Sequence, residues 1–158
     1  MITIRQGVFE TNSSNTHSLS IVSKSKFEKW KNNKEILYDI NQEIFLTRNE
    51  AIERLRKIYT ESIEELKNED DYIKQYPFYE KEDIVKMKED YKEYLRLLDF
   101  KDEEDLEELN DLIRDEGLHT YESYFEDEDD DYLEYYSQSY TTEKGEELIA
   151  FGYFGRDG

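Results

Sequence analysis

Six consecutive carboxylates, Glu126, Asp127, Glu128, Asp129, Asp130 and Asp131, are the densest chemical feature of this 158-residue chain. Hard oxygen donors in such number suggest Ca²⁺ or Mg²⁺. An EF-hand loop, however, spaces its ligands, places glycine sixth and ends on glutamate at the twelfth position. Contiguous carboxylates without glycine read more simply as a solvated acidic loop, so neither a metal nor another cofactor is expected. Tyr121, Tyr124, Phe125, Tyr132, Tyr135 and Tyr136 flank the run. Closely spaced negative groups beside flat rings imitate nucleic acid, and the run with Tyr124, Tyr132 and Tyr135 is the first candidate surface for a partner. The plain alternative for the rings is sheet core and cross-strand pairing.

A second candidate is the outer face of a helix expected over 102–116, which carries Glu103, Glu104, Glu107, Glu108 and Asp111. Carboxylates in the first turn complement the helix dipole. Like charges at i, i+4 nevertheless cost roughly 0.2–0.5 kcal/mol per pair. The fold gains nothing from such clustering, which points to a partner. The third candidate is His17 in Asn12-Ser-Ser-Asn-Thr-His-Ser18. A nucleophilic Ser/His pair needs an orienting carboxylate and a rigid support, which proximity in sequence does not supply. Serine and asparagine also close turns through side-chain bonds to the backbone. The segment reads as structural, with an enzyme built on it as the alternative. No phosphate-binding glycine loop, dinucleotide fingerprint, HExxH or paired-cysteine pattern is present. Paired carboxylates are too abundant to be diagnostic.

Charge decides which partners are plausible. Residues 1–59 hold 10 Lys/Arg and 7 Asp/Glu, net +3; residues 60–158 hold 11 and 34, net −23, giving −20 in total. Between 99 and 131 there are 17 carboxylates against Lys101 and Arg114. Solubility needs a net charge of only about 2–8. A field of this sign repels nucleic acid and anionic membranes and draws in basic proteins. Lys24, Lys26, Lys29, Lys31 and Lys34 around Trp30 look like a nucleic-acid patch, but the total charge opposes it, and internal balance is the better reading.

At 39 % charged and 36 % apolar the composition approaches that of disordered chains. The 14 Tyr, 8 Phe and single Trp argue for a folded domain, expected to be one unit over 1–158. The absence of cysteine suits a reducing cytosol. The opening Met-Ile-Thr-Ile-Arg lacks a signal peptide's apolar stretch, and no run approaches ~18 apolar residues, so a bacterial cytosolic location is expected. Two Ala and one Pro against 14 Lys, 13 Ile and 8 Asn reflect AT-rich codons, as in a low-GC bacterium or its phage.

The elements that must position these residues follow from period and punctuation. Strand composition at 2–9 and 19–22 brackets a polar turn at 10–18. Ser23 caps a basic helix over 24–32 with Phe27 and Trp30 on one face. Short strands at 36–40 and 43–46 precede Thr47-Arg-Asn-Glu50, a capping box, behind which Ile52, Leu55, Tyr59, Ile63 and Leu66 repeat at helical spacing. Pro77 ends whatever covers 70–76. A helix over 80–98 buries Ile84, Met87, Tyr91, Tyr94 or Leu95, and Leu98. The 102–116 helix buries Leu106, Leu109 and Ile113, with Gly117 at C′. Strands at 118–125, 132–140 and 147–154 complete the chain, the last two joined by a hairpin loop at 141–145. The sum is α+β: a mixed or antiparallel sheet from both termini with about three helices inserted.

Arg5-Gln-Gly-Val-Phe-Glu-Thr-Asn-Ser-Ser-Asn-Thr-His-Ser18, with the size, acidity and lack of cysteine, resembles the phage-borne anti-CRISPR proteins that act on a staphylococcal-type Cas9. The resemblance implies a non-enzymatic inhibitor that binds Cas9, with or without its guide RNA, and blocks cleavage; the charge sets the expectation of no direct contact with nucleic acid or membrane. It implies that the acidic surface occupies either the HNH nuclease domain or, as a DNA mimic, the cleft that reads the PAM duplex. A localised acid–tyrosine patch suits the compact HNH domain better than a long duplex channel. Another basic nucleic-acid-binding protein is the remaining alternative.

Overall fold

The computed structural model describes residues 15–99, 105–125 and 133–156. The order is β1 (Asn15–His17), β2 (Ser20–Ser23), α1 (Lys24–Asn32), β3 (Ile36–Asp39), β4 (Ile44–Thr47), α2 (Arg48–Glu65), α3 (Glu69–Gln75), α4 (Lys81–Leu98), α5 (Leu106–Asp115), β5 (Leu118–His119), α6 (Tyr121–Phe125), β6 (Leu133–Thr141) and β7 (Glu147–Arg156). The fold is α+β with antiparallel sheets. One sheet has the order β1-β7-β2 with β6 also paired to β7; the other has the order β4-β3-β5. Among the described residues no helix is long and apolar enough to cross a membrane. The described residues fall into two compact units, divided along the chain as Met1–Tyr38 with Thr120–Gly158, and Asp39–His119.

The first unit is organised by β7, which pairs on both edges. β6 runs beside it from Leu133↔Gly155 to Thr141↔Glu147. The hairpin turn closes through Glu146 N–H to Thr142 Oγ1 at 3.0 Å, with Gly145 at φ +83°. On the opposite edge β2 pairs Ser20–Ser23 with Phe151–Leu148, and β1 pairs Asn15–His17 with Arg156–Phe154. Part of the polar segment expected to be a turn is therefore strand. Backbone ladder bonds are indifferent to side-chain polarity, and β7 is long enough to accept both pieces. Between the two, Ser18 breaks the ladder. Its N–H reaches the Tyr153 carbonyl at 2.8 Å, and its own carbonyl accepts from the Tyr136 hydroxyl at 3.0 Å.

Aromatic side chains fill this unit's core. Ser23 caps α1 by accepting from the Lys26 N–H, which orients Phe27 and Trp30 inward at 3 % and 1 % exposure. Trp30 lies 5.4 Å from Phe151, 5.5 Å from Tyr38 and 5.5 Å from Tyr124. Burying each such ring stabilises the fold by roughly 1.5–3 kcal/mol, with more from edge-to-face geometry. The strand expected over 118–125 is corrected: only Leu118–His119 is strand, and Tyr121–Phe125 is helix. Thr120 accepts the Ser123 N–H on its hydroxyl and the Tyr124 N–H on its carbonyl, both at 3.1 Å, which nucleates the turn.

The second unit is mainly helical. Thr47 and Glu50 form the expected capping box at the start of α2. Ala51, Leu55 and Tyr59 are its buried stripe, continued by buried Leu66 at the C-cap, while Ile52 and Ile63 stay half-buried. Ile84, Leu97 and Leu98 of α4 and Leu109, Leu112 and Ile113 of α5 complete the core. Leu106, expected inside, is 42 % exposed because it opens the first turn of α5, ahead of that stripe. Gly117 takes φ +77°, the left-handed C′ conformation expected for it. Pro77 follows α3 as expected, with Tyr76 outside the helical region before it (φ −127°, ψ 76°). One buried charge is paired: Asp39, wholly inaccessible, meets Arg54 at 2.6 Å through Oδ2, and its Oδ1 accepts the N–H groups of Asn41 and Gln42.

Candidate binding surface

The residues proposed from sequence to contact a partner fall into three groups. Glu103, Glu104, the run of Glu126, Asp127, Glu128, Asp129, Asp130 and Asp131, and Tyr132 lie outside the described residues. Glu107, Glu108 and Asp111 are exposed on α5, opposite its buried Leu109, Leu112 and Ile113. Three and four residues of separation put them on one solvent face. Asp111 pairs with Arg114 at 3.0 Å, whereas Glu107 and Glu108 make no ion pair among the described residues.

The tyrosines divide differently. Tyr124 is a core residue at 3 % exposure, its ring against Tyr38, Phe125, Tyr135 and Phe151. Burial, its largest influence, holds the hydroxyl well above the usual tyrosine range. In this conformation the ring is not on the surface. Tyr135 is half-buried on β6, 5.5 Å from Tyr124 and 5.6 Å from Tyr153. Its position is the cross-strand pairing named as the plain alternative, since Tyr135 and Tyr153 are register partners.

The Ser/His segment shows only its end. His17 is the last residue of β1, in register with Phe154, and Ser18 forms the ladder break described above. Residues 12–14 lie outside the described region. The lysines around Trp30 split: Lys24 pairs with Glu147 at 3.0 Å and Lys34 with Glu122 at 2.9 Å, while the Lys31 ammonium stands 5.7 Å from the Tyr121 ring centre. Lys26 and Lys29 make no ion pair among the described residues. Within this unit the lysines supply part of the internal charge balance expected of them.

One cluster escaped the sequence reading, which used Pro77 only as a helix terminator. Tyr72, Tyr76, Phe78 and Tyr79 bring four rings together around the turn between α3 and α4, with centres 4.5–6.2 Å apart. Phe78 is 72 % exposed. Burial, then neighbouring Tyr79 and Tyr76, raises the Tyr72 hydroxyl above its ordinary range. Four aromatics in eight residues were the available signal. Among the described residues no three His, Asp or Glu side chains converge as a metal site. Comparison with protein-family models, with curated proteins and with solved structures gave no match.

Proposed function

We propose that this chain is a non-enzymatic binding protein that inhibits a partner by occupying its basic surface. The observation that carries the reading is the net charge of −20, with −23 in residues 60–158. Glu107 and Glu108, exposed on α5 and without an ion pair among the described residues, support it locally. A field of that strength raises encounter rates with basic proteins and opposes contact with phosphate backbones. The resemblance of residues 5–18 to anti-CRISPR proteins makes a staphylococcal-type Cas9 the partner to test first, in the bacterial cytosol, with its HNH domain as the contact.

The test is target-DNA cleavage by guide-loaded Cas9 beside a gel-shift measurement of DNA binding, each with the chain added. The HNH reading expects cleavage to stop while DNA stays bound, because the docking step that licenses cleavage follows DNA recognition. Loss of DNA binding would transfer the contact to the PAM-duplex cleft. Unaffected cleavage at saturating chain would remove Cas9 as the partner.

A further inference from the structure

The ring cluster at the α3–α4 turn is built to be presented. Tyr76 N–H bonds the Tyr72 carbonyl at 2.8 Å, Tyr79 N–H bonds the Tyr76 carbonyl at 3.1 Å, and Pro77 fixes the backbone between them. Phe27, Trp30, Tyr59 and Phe151 are 3 % exposed or less, yet Phe78 keeps 72 % of its surface in water and Tyr76 37 %. Contiguous exposed rings on a locally fixed turn need little ordering when a partner arrives.

Charge around the rings selects the partner. Residues 69–83 hold six carboxylates against Lys74 and Lys81. Lys81 pairs with Asp70 at 3.0 Å, Lys74 with Asp71 at 3.2 Å and Lys88 with Glu69 at 2.7 Å, while Asp83 accepts the Glu80 N–H at the start of α4. The surplus rests on Glu80, Glu82 and Asp83, which make no ion pair among the described residues. Ring faces are negative and attract cations, and a carboxylate surplus adds to that attraction. Anionic ligands are disfavoured twice over. We propose that the 72–79 turn docks an arginine- or lysine-bearing segment of a partner protein, a cationic side chain stacking on Phe78 and Tyr76 while nearby carboxylates hold its neighbours. The inference rests on the reading of the chain as a binder of basic protein and names where that contact is made. Arginine is favoured, because its planar guanidinium stacks on rings as an ammonium does not.

The experiment is an NMR titration of the full chain with deca-arginine and deca-lysine peptides at low salt, following ring and backbone signals. The Phe78 and Tyr76 rings should shift, deca-arginine should bind more tightly than deca-lysine, and Phe78→Ala should weaken binding about tenfold. Phe78→Trp should retain it. Melting curves of both variants should match the wild type, because Phe78 is largely exposed. Peptide-induced shifts confined to other acidic faces, with Phe78→Ala binding normally, would overturn this site and leave the basic-partner reading intact. Absence of any peptide binding would overturn both. A dimer in sedimentation that Phe78→Ala abolishes would assign the surface to a second copy of the chain instead.

Discussion

Gly152→Ala tests how the segment around His17 and Ser18 is held. A β-carbon at position 152 would stand 2.0 Å from the Ser18 carbonyl oxygen, 2.7 Å from its carbonyl carbon and 3.1 Å from the Tyr136 hydroxyl. Two of those atoms are backbone and cannot swing aside as a flexible side chain would. Moving Ser18 away forfeits its N–H bond to Tyr153 at 2.8 Å and the Tyr136 hydroxyl bond to its carbonyl at 3.0 Å. Two hydrogen bonds at about 1 kcal/mol each, with about 1–3 kcal/mol for overpacking, give a loss of roughly 3–5 kcal/mol. That is a large fraction of a typical stability of about 5–15 kcal/mol. Trp30, the only tryptophan and 1 % exposed in the same unit, reports unfolding by its fluorescence. With a urea slope near 2 kcal/mol/M, the midpoint should fall by about 1.5–2.5 M. Tyr136→Phe removes only the hydroxyl donor and should cost about 1 kcal/mol. A Gly152→Ala midpoint within about 0.3 M of wild type would refute the account of how Ser18 crosses β7.

Two further outcomes concern the second unit. Asp39→Asn removes a wholly buried charge from Arg54, and circular-dichroism melting should show a loss of about 2–3 kcal/mol. That lies at or just below the usual range because the Arg54 side chain keeps 29 % of its surface in water. Tyr59 gives a pH signature: burial first, then the hydrogen bond to Glu116 at 2.7 Å, raises its hydroxyl far above the ordinary range. The folded state therefore favours the neutral phenol, so this contribution is complete below about pH 10 and declines as pH rises beyond it. Melting temperatures between pH 8 and 11 should fall more steeply in the wild type than in Tyr59→Phe.

The parts of the fold legible in sequence are those fixed by local chemistry. Ser23, the Thr47–Glu50 box, Pro77 and Gly117 each satisfy or forbid specific backbone groups within a few residues, and each acts where expected. The insertion of a helical section between sheet-forming termini followed from the same periodicities. Residues 121–125 misled because tyrosine and phenylalanine favour strands, although Tyr121, Tyr124 and Phe125 stand at helical spacing behind a capping Thr120. Residues 15–17 misled because nothing in a polar segment announces the edge it will join; that depends on β7, more than 130 positions later. Of the candidate surface, solvent exposure of Glu107, Glu108 and Asp111 was legible from the α5 stripe. Burial of Tyr124 was not, since an amphipathic ring suits core and surface alike.

The association rate of the chain with guide-loaded, staphylococcal-type Cas9, measured from about 50 to 300 mM salt, bears most directly on the proposal that an acidic field captures a basic partner. Exposed charges are screened beyond about 10 Å at 0.1 M salt, so the rate should fall several-fold across that range. Replacing Asp127, Asp129, Asp130 and Asp131 by Asn should slow association further at low salt while leaving the melting temperature unchanged or slightly raised. An association rate flat in salt, or absence of binding at any salt, would contradict it.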